Sequence, residues 1–170
     1  FVNGLALVVI ELKNATNESV GIYQGFNQLQ TYKSKVPQLF NHNAFVVTSD
    51  GLNTKVGSLT ADYDRFMHWR TKDGETEATL SIPSLEVLIS GMLNKHVLLD
   101  MLKNFILFQD KGDGKVAKIV AAYHQYYAVN KAVESTLKAS SDEGDGKAGV
   151  IWHTQGSGKS LTMVFFSGKL

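Results

Sequence analysis

Seven consecutive residues, Thr154-Gln155-Gly156-Ser157-Gly158-Lys159-Ser160, have the types and spacing needed to hold phosphate. Two glycines separated by one residue let the backbone adopt angles that other residues avoid, and let it approach a ligand closely. Successive N–H groups of such a loop point inward, and a helix beginning at the lysine adds the positive end of its dipole. Lys159 would place its ammonium on the β- and γ-phosphates of a nucleotide, and the Ser160 hydroxyl would meet Mg2+. The strict form of this motif has glycine five positions before Gly158, where this chain has His153. The departure leaves the Gly-x-Gly-Lys-Ser core intact. The competing reading is a chance Gly/Ser/Lys turn; the apolar runs on either side of the loop count against it. The loop alone is not a motor. The acidic strand that orients a metal-bound water, and any arginine finger, are expected beyond Leu170.

A second pair of residues sits near the start. Glu11 and Lys13 are two apart in an apolar run, Leu5 to Leu12, that reads as a buried strand. Both therefore project from one face and Leu12 from the other. A carboxylate and an ammonium at the end of a buried strand are costly unless paired or used. In nucleases of the PD-(D/E)xK type, such a Glu-x-Lys, with an Asp from a preceding strand, holds Mg2+ and positions or activates the attacking water. By itself the triplet is weak, since it also arises as a plain surface ion pair. The context adds Gln28 and Tyr32, four apart and so on one helical face. That spacing is similar to an extra helix motif of one nuclease branch. The bland alternative has Tyr32 in the core and Gln28 merely exposed.

The elements that must position these residues follow from periodicity. Asn14 to Ser19 is turn-like, and Val20, Tyr23, Phe26, Leu29, Tyr32 and Val36 mark one face of a helix that Pro37 should end. Ala44 to Thr48 reads as a strand stopped by Ser49-Asp50-Gly51, with a further short strand around Lys55 to Ser58. Asp62 to Thr71 suits a helical turn or packed loop, and Lys72 to Glu77 an exposed one. After Pro83 one helical face is expected from Leu85, Leu88, Ile89 and Met92, another from Val97, Leu98, Met101, Leu102, Phe105 and Ile106. Asp110 to Lys115 looks superficially like a calcium loop, but Ala121 stands where the twelfth-position acid is required, so a plain loop is expected. Lys115 to Ala139 reads as one long helix, Ser140 to Lys147 as a linker, and Ala148 to Trp152 as a buried strand leading into the glycine-rich turn. Strand, helix and strand in alternation predict an α/β protein. The expected domains are 1–80, 81–139 and 140–170.

Bulk properties set outer limits. With 170 residues and 44% hydrophobic content, the chain can build a packed core. No apolar run approaches the ~20 residues that span a bilayer, and the N-terminus lacks the basic start of a signal peptide. Phe1 opens inside a strand-like run without an initiator Met, so residues are expected upstream. Cysteine is absent, which fits a reducing compartment. A net charge of +1, with Arg65 and Arg70 as the two arginines, argues against guanine reading by arginine but permits contact with DNA phosphates. His42, His68, His96, His124 and His153 show no metal-ligand spacing.

Taken in order, several segments resemble the restriction subunit of type I restriction–modification enzymes over nearly the whole chain. They are Asn3-Gly4-Leu5, Val9-Ile10-Glu11-Leu12-Lys13, Gln28-Leu29-Gln30-Thr31-Tyr32, Ser49-Asp50-Gly51, Asp62-Tyr63-Asp64-Arg65-Phe66 with Trp69, His124-Gln125 with Ala128, and Ile151 to Ser160. The resemblance implies a partial restriction-endonuclease-like core, then helices, then the first strand, phosphate loop and helix of a RecA-like motor of the superfamily 2 helicase type. It implies non-specific cleavage of double-stranded DNA after ATP-driven translocation, with partner subunits that methylate and recognise the site, in a bacterial or archaeal cytoplasm. On that resemblance Glu11 is a Mg2+ ligand, Lys13 a base or charge stabiliser, Gln28 and Tyr32 supports of the site, and Gln125 an adenine contact. A glutamine can both donate to and accept from the adenine edge. The catalytic Asp is expected before Phe1; Asp50, in a turn, is not a convincing substitute. Two other readings stand beside this one: a DNA helicase or translocase fragment whose first domain is structural, and an inert DNA-binding or assembly piece. The isolated segment is expected to cut and hydrolyse little.

Overall fold

The computed structural model describes residues 1–14, 21–79 and 81–170. It is a mixed α/β structure with two small sheets. The first sheet has β1 (Val8–Leu12), β2 (Phe45–Ser49) and β3 (Thr54–Gly57) in that order. β1 and β2 run parallel, Glu11 opposite Thr48, and α1 (Ile22–Lys35) forms the crossover that parallel pairing requires. β2 and β3 are antiparallel, Thr48 opposite Lys55. Their connection is tight because the Asp50 carboxylate accepts the Asn53 N–H at 2.6 Å and Gly51 takes φ 91°.

Alternation sorts the sheet into two faces. Val9, Glu11, Val46, Thr48 and Lys55 share the face beneath α1, where Leu29, Phe40, Val46 and Phe66 form a small apolar cluster. Phe45, Val47 and Val56 point the other way, into the main core. That core continues through Trp69, α2 (Ser84–Ser90), α3 (Lys95–Asn104), the hairpin β4 (Ile106–Asp110) and β5 (Val116–Val120), α4 (Tyr123–Ala139), and ends on Phe165 of α5 (Lys159–Lys169).

Several expectations need correction. β1 is an edge strand among the described residues and not a buried one: Leu12 is 60% exposed, and only Val8 to Leu12 is paired. In α2 it is Val87, and not Ile89, that turns inward with Leu88 and Met92. Ile106 leaves the helical face and opens β4, since α3 stops at Asn104. The long helix from Lys115 splits: Val116–Val120 pairs with β4, and the helix proper begins at Tyr123. The loop 111–115 is a hairpin turn with positive φ at Gly112, Asp113 and Gly114. Most consequential, the segment 148–152 is no strand, and Val150 and Trp152 are 91% and 89% exposed. A parallel strand draws its hydrogen bonds from neighbouring strands, and no described strand pairs with this one. The helix ended by Pro37, the two strands of the β2–β3 hairpin and the helix starting at Lys159 form as expected. Most of the turn expected over Asn14 to Ser19, together with Val20, lies outside the described residues.

Candidate functional site

The carboxylate–lysine pair assembles as its spacing demands. Glu11 Oε1 lies 2.8 Å from Lys13 Nζ, with both side chains largely covered. The cover is α1. A methyl group added at Gly25 would fall 2.2 Å from Thr48 Oγ1 and 3.5 Å from Glu11 Cγ, so the helix rides directly on these two side chains. Thr48, fully buried, donates its hydroxyl to the Ile22 carbonyl at 2.6 Å and pins the first turn of α1 over the end of β1. The main chain continues the lock, with Lys13 N–H donating to the Ser49 carbonyl at 2.7 Å.

Gln28 and Tyr32 are both half-buried on this helix. Gln28 is about one turn from Gly25, about 4.5 Å along the axis. Tyr32 is about 10 Å along and packs into the cluster of Leu29, Phe40, Val46 and Phe66. Sequence reasoning passed over Gly25 and Thr48. A glycine inside an otherwise regular helix was the available signal, since it marks close approach. Lys55, opposite Thr48, points its ammonium at the Tyr63 ring, 4.4 Å from the centroid. Asp50 sits in the turn after β2, where its Oδ1 accepts the Asn53 N–H.

The glycine-rich loop has the backbone its sequence requires. Gly156 and Gly158 take φ 82° and 80°, in the left-handed region, and α5 begins at Lys159. Lys159 Nζ folds back to donate to the His153 and Thr154 carbonyls at 3.2 and 3.0 Å. Gln155 and Ser160 are exposed. The Ser157 Oγ and His153 Nδ1 are buried with no partner among the described residues. Burial first, then the charges of His124 and Lys159, lowers the pKa of His153 and favours a neutral ring.

The start of α4 reaches this loop. The buried Gln125 accepts the Ala122 N–H at 2.9 Å, capping its own helix, and donates its amide to the Gly158 carbonyl at 3.1 Å. One amide hydrogen and one carbonyl lone pair remain, so a base edge could still be read. His124 Nε2 lies 3.0 Å from the Ser157 carbonyl, and its ring meets that of His153 edge-on at 5.4 Å. The neighbouring Tyr123 and His124 line a cleft of about 810 Å³ between loop 71–77, α4 and residues 148–153. His124 was visible only as the neighbour of Gln125. No cluster of three or more His, Cys, Asp or Glu side chains suited to a metal occurs among the described residues. No helix among them is long and apolar enough to cross a membrane.

Comparison with known proteins finds a separate family profile for each end of the chain. The profile described as "Type I restriction enzyme R protein N terminus" matches residues 1–65, and that of the SWI2/SNF2 ATPase matches residues 124–170. The whole chain is 47% identical to the type I restriction enzyme HindI endonuclease subunit of Haemophilus influenzae, covering 100% of this chain and 16% of that protein. A putative type I restriction enzyme MjaIXP endonuclease subunit of Methanocaldococcus jannaschii is 32% identical over 99% of the chain and 17% of its own length. The SauCOLORF180P endonuclease subunit of Staphylococcus aureus is 26% identical over 95% and 16%. The chain therefore spans about a sixth of the curated relatives it matches. The match runs the full length of the chain, and with the profile over residues 1–65 it makes the chain a member of the type I restriction enzyme R-protein family.

Proposed function

We propose that this segment joins the nuclease of a type I restriction subunit to the first part of its ATP-driven motor. Its first part, 1–80, bears the cutting site, 81–139 connects, and 140–170 opens the motor. The observation that carries this reading is the presence in one chain of two built arrangements: a Glu–Lys pair at an open strand edge, and a glycine-rich loop with left-handed glycines that opens a helix. The subunit would cut double-stranded DNA in the cytoplasm of a bacterium or archaeon, in complex with methyltransferase and specificity subunits.

Glu11 would supply one oxygen ligand to Mg2+; the ion, when bound, polarises the scissile phosphate and its attacking water. Its other ligands must come from elsewhere, the Asp expected before Phe1 among them. Lys13, paired with Glu11, would orient that water and steady charge on the phosphate. Gln28 and Tyr32 keep α1 seated over the pair. At the other end Thr154, Gln155, Gly156, Ser157 and Gly158 form the cradle for ATP phosphates. Lys159 must leave its two carbonyl partners to meet them, and Ser160 would hold the nucleotide Mg2+. Gln125 would read the adenine.

A second reading has its own observation: the Glu11–Lys13 bridge is closed at 2.8 Å, as a purely structural ion pair would be. One experiment separates them, namely ATP-dependent cleavage of circular DNA carrying the cognate site by the complete subunit with its partners. Lys13→Ala should abolish cutting and spare ATP hydrolysis, whereas Lys159→Ala should abolish both. Normal cutting by Lys13→Ala would leave a motor with a structural first domain.

A further inference from the structure

His124 and Gln125 act on two successive carbonyls of the same loop. His124 Nε2 meets Ser157 O at 3.0 Å, and Gln125 Nε2 donates to Gly158 O at 3.1 Å. A carbonyl only accepts, so His124 Nε2 carries the proton in this contact. In a trans peptide the C=O and the following N–H point in opposite directions. Drawing the Ser157 carbonyl toward α4 therefore turns the Gly158 N–H away from it. Holding the Gly158 carbonyl, which the Thr162 N–H also binds at 3.1 Å, does the same for the Lys159 N–H. These are two of the N–H groups that a phosphate at this loop would use.

We propose that His124 is a positioning residue that presets the loop for phosphate, by fixing the Ser157–Gly158 peptide with its Nε2–H. His153 completes the device. It stands where the strict motif has glycine, and its ring packs edge-on against His124 at 5.4 Å, which fixes the imidazole's plane. Gly158 must lack a side chain for this grip, because a methyl group there would lie 2.8 Å from Gln125 Nε2. The proposal rests on the reading of the loop as a phosphate site.

The test uses the complete restriction subunit and two probes, pyrophosphate and ADP, titrated by calorimetry with Mg2+. His124→Leu keeps bulk and removes the donor; His124→Gln keeps an N–H donor of similar reach. His124→Leu should weaken both probes roughly tenfold, the worth of one well-placed hydrogen bond, and raise KM for ATP more than it lowers kcat. His124→Gln should restore most of the affinity, and the melting temperature of each variant shows that it is folded. Equal losses in the two variants would reduce His124 to packing, and unchanged binding by His124→Leu would overturn the proposal outright. Should the unsubstituted subunit bind neither probe, or Lys159→Ala bind both normally, the phosphate reading itself fails, an outcome distinct from a failure of His124 alone.

Discussion

Asp100 on α3 shows how a single side chain ties the segments together. Burial works against its charge, but hydrogen bonds from Lys169 and Asn104 and the Lys169 ammonium outweigh it and hold the carboxyl below its ordinary pKa. Lys169, on α5, reaches both carboxylate oxygens at 2.6 Å and lies 5.0 Å over the Phe105 ring. The folded pKa is thus lower than the unfolded value of about 3.9. The stability this group contributes is present above that unfolded value and is lost as pH falls through the depressed folded one. Asp100→Asn should cost about 2 kcal/mol at pH 7, less than a fully buried pair because both side chains keep some solvent contact. Urea unfolding of the two proteins should converge as pH is lowered toward 3. A gap independent of pH would mean that packing, and not charge, is what the substitution removes. Residues of this kind were invisible in the sequence, since 69 positions separate Asp100 from its partner and no motif marks either.

At the scale of elements, legibility followed how local the determining contacts were. α1 and its stop at Pro37, β2, β3 and the helix from Lys159 all form from their own periodicity and punctuation. β5 did not, because Val116 to Val120 can satisfy a helical or an extended pattern. Its state is decided by pairing along its whole length with β4 and by more distant groups: the Lys118 N–H donates to Thr60 Oγ1 at 2.7 Å, and Lys118 Nζ to the Asn43 carbonyl at 2.6 Å. The strand expected before the glycine-rich loop failed for want of a paired neighbour. The Glu11–Lys13 pair and the loop were legible as residues, whereas the way α1 and α4 seat on them was not. The stretch from Lys72 to Glu77, expected as exposed and largely so, is also a docking element. Glu77 accepts the Tyr123 hydroxyl at 2.6 Å, Glu75 pairs with Lys131 at 3.0 Å, and Gly74 lies flat on the Tyr127 ring. A methyl group at Gly74 would fall 2.2 Å from that ring, at a φ of 85°. Gly74→Ala should therefore cost about 2 kcal/mol or more, through both strain and clash. Limited proteolysis should find the loop cut faster. Unchanged stability and cutting would show that the loop merely rests on α4.

Across the whole molecule, the two candidate sites share one hydrophobic core. Phe45 and Val47 of β2, Met101 of α3 and Phe105 just after it, Val129 of α4 and Phe165 of α5 belong to a single buried cluster. The middle of that chain of contacts is Phe105, fully buried, with its ring 4.8 Å from Tyr126 and 5.6 Å from Phe165. Close packing transmits strain because interiors have few voids to absorb it. A change at Phe105 should therefore loosen the Glu–Lys sheet and the loop-bearing helix together. Phe105→Ala removes most of an aromatic side chain and should cost about 3–4 kcal/mol. Hydrogen exchange on the complete subunit resolves where that cost falls. If β2 and α5 open as one cooperative unit, their slowest amides should accelerate by similar factors in the variant. Acceleration confined to α4 and α5, with β2 unchanged, would mean that the sheet bearing Glu11 is held by its own smaller cluster around Leu29 and Phe66. In that case what links the first sheet to α4 and α5 is polar contact, from Lys118 to Thr60 and Asn43 and from loop 71–77 to α4, and not the core.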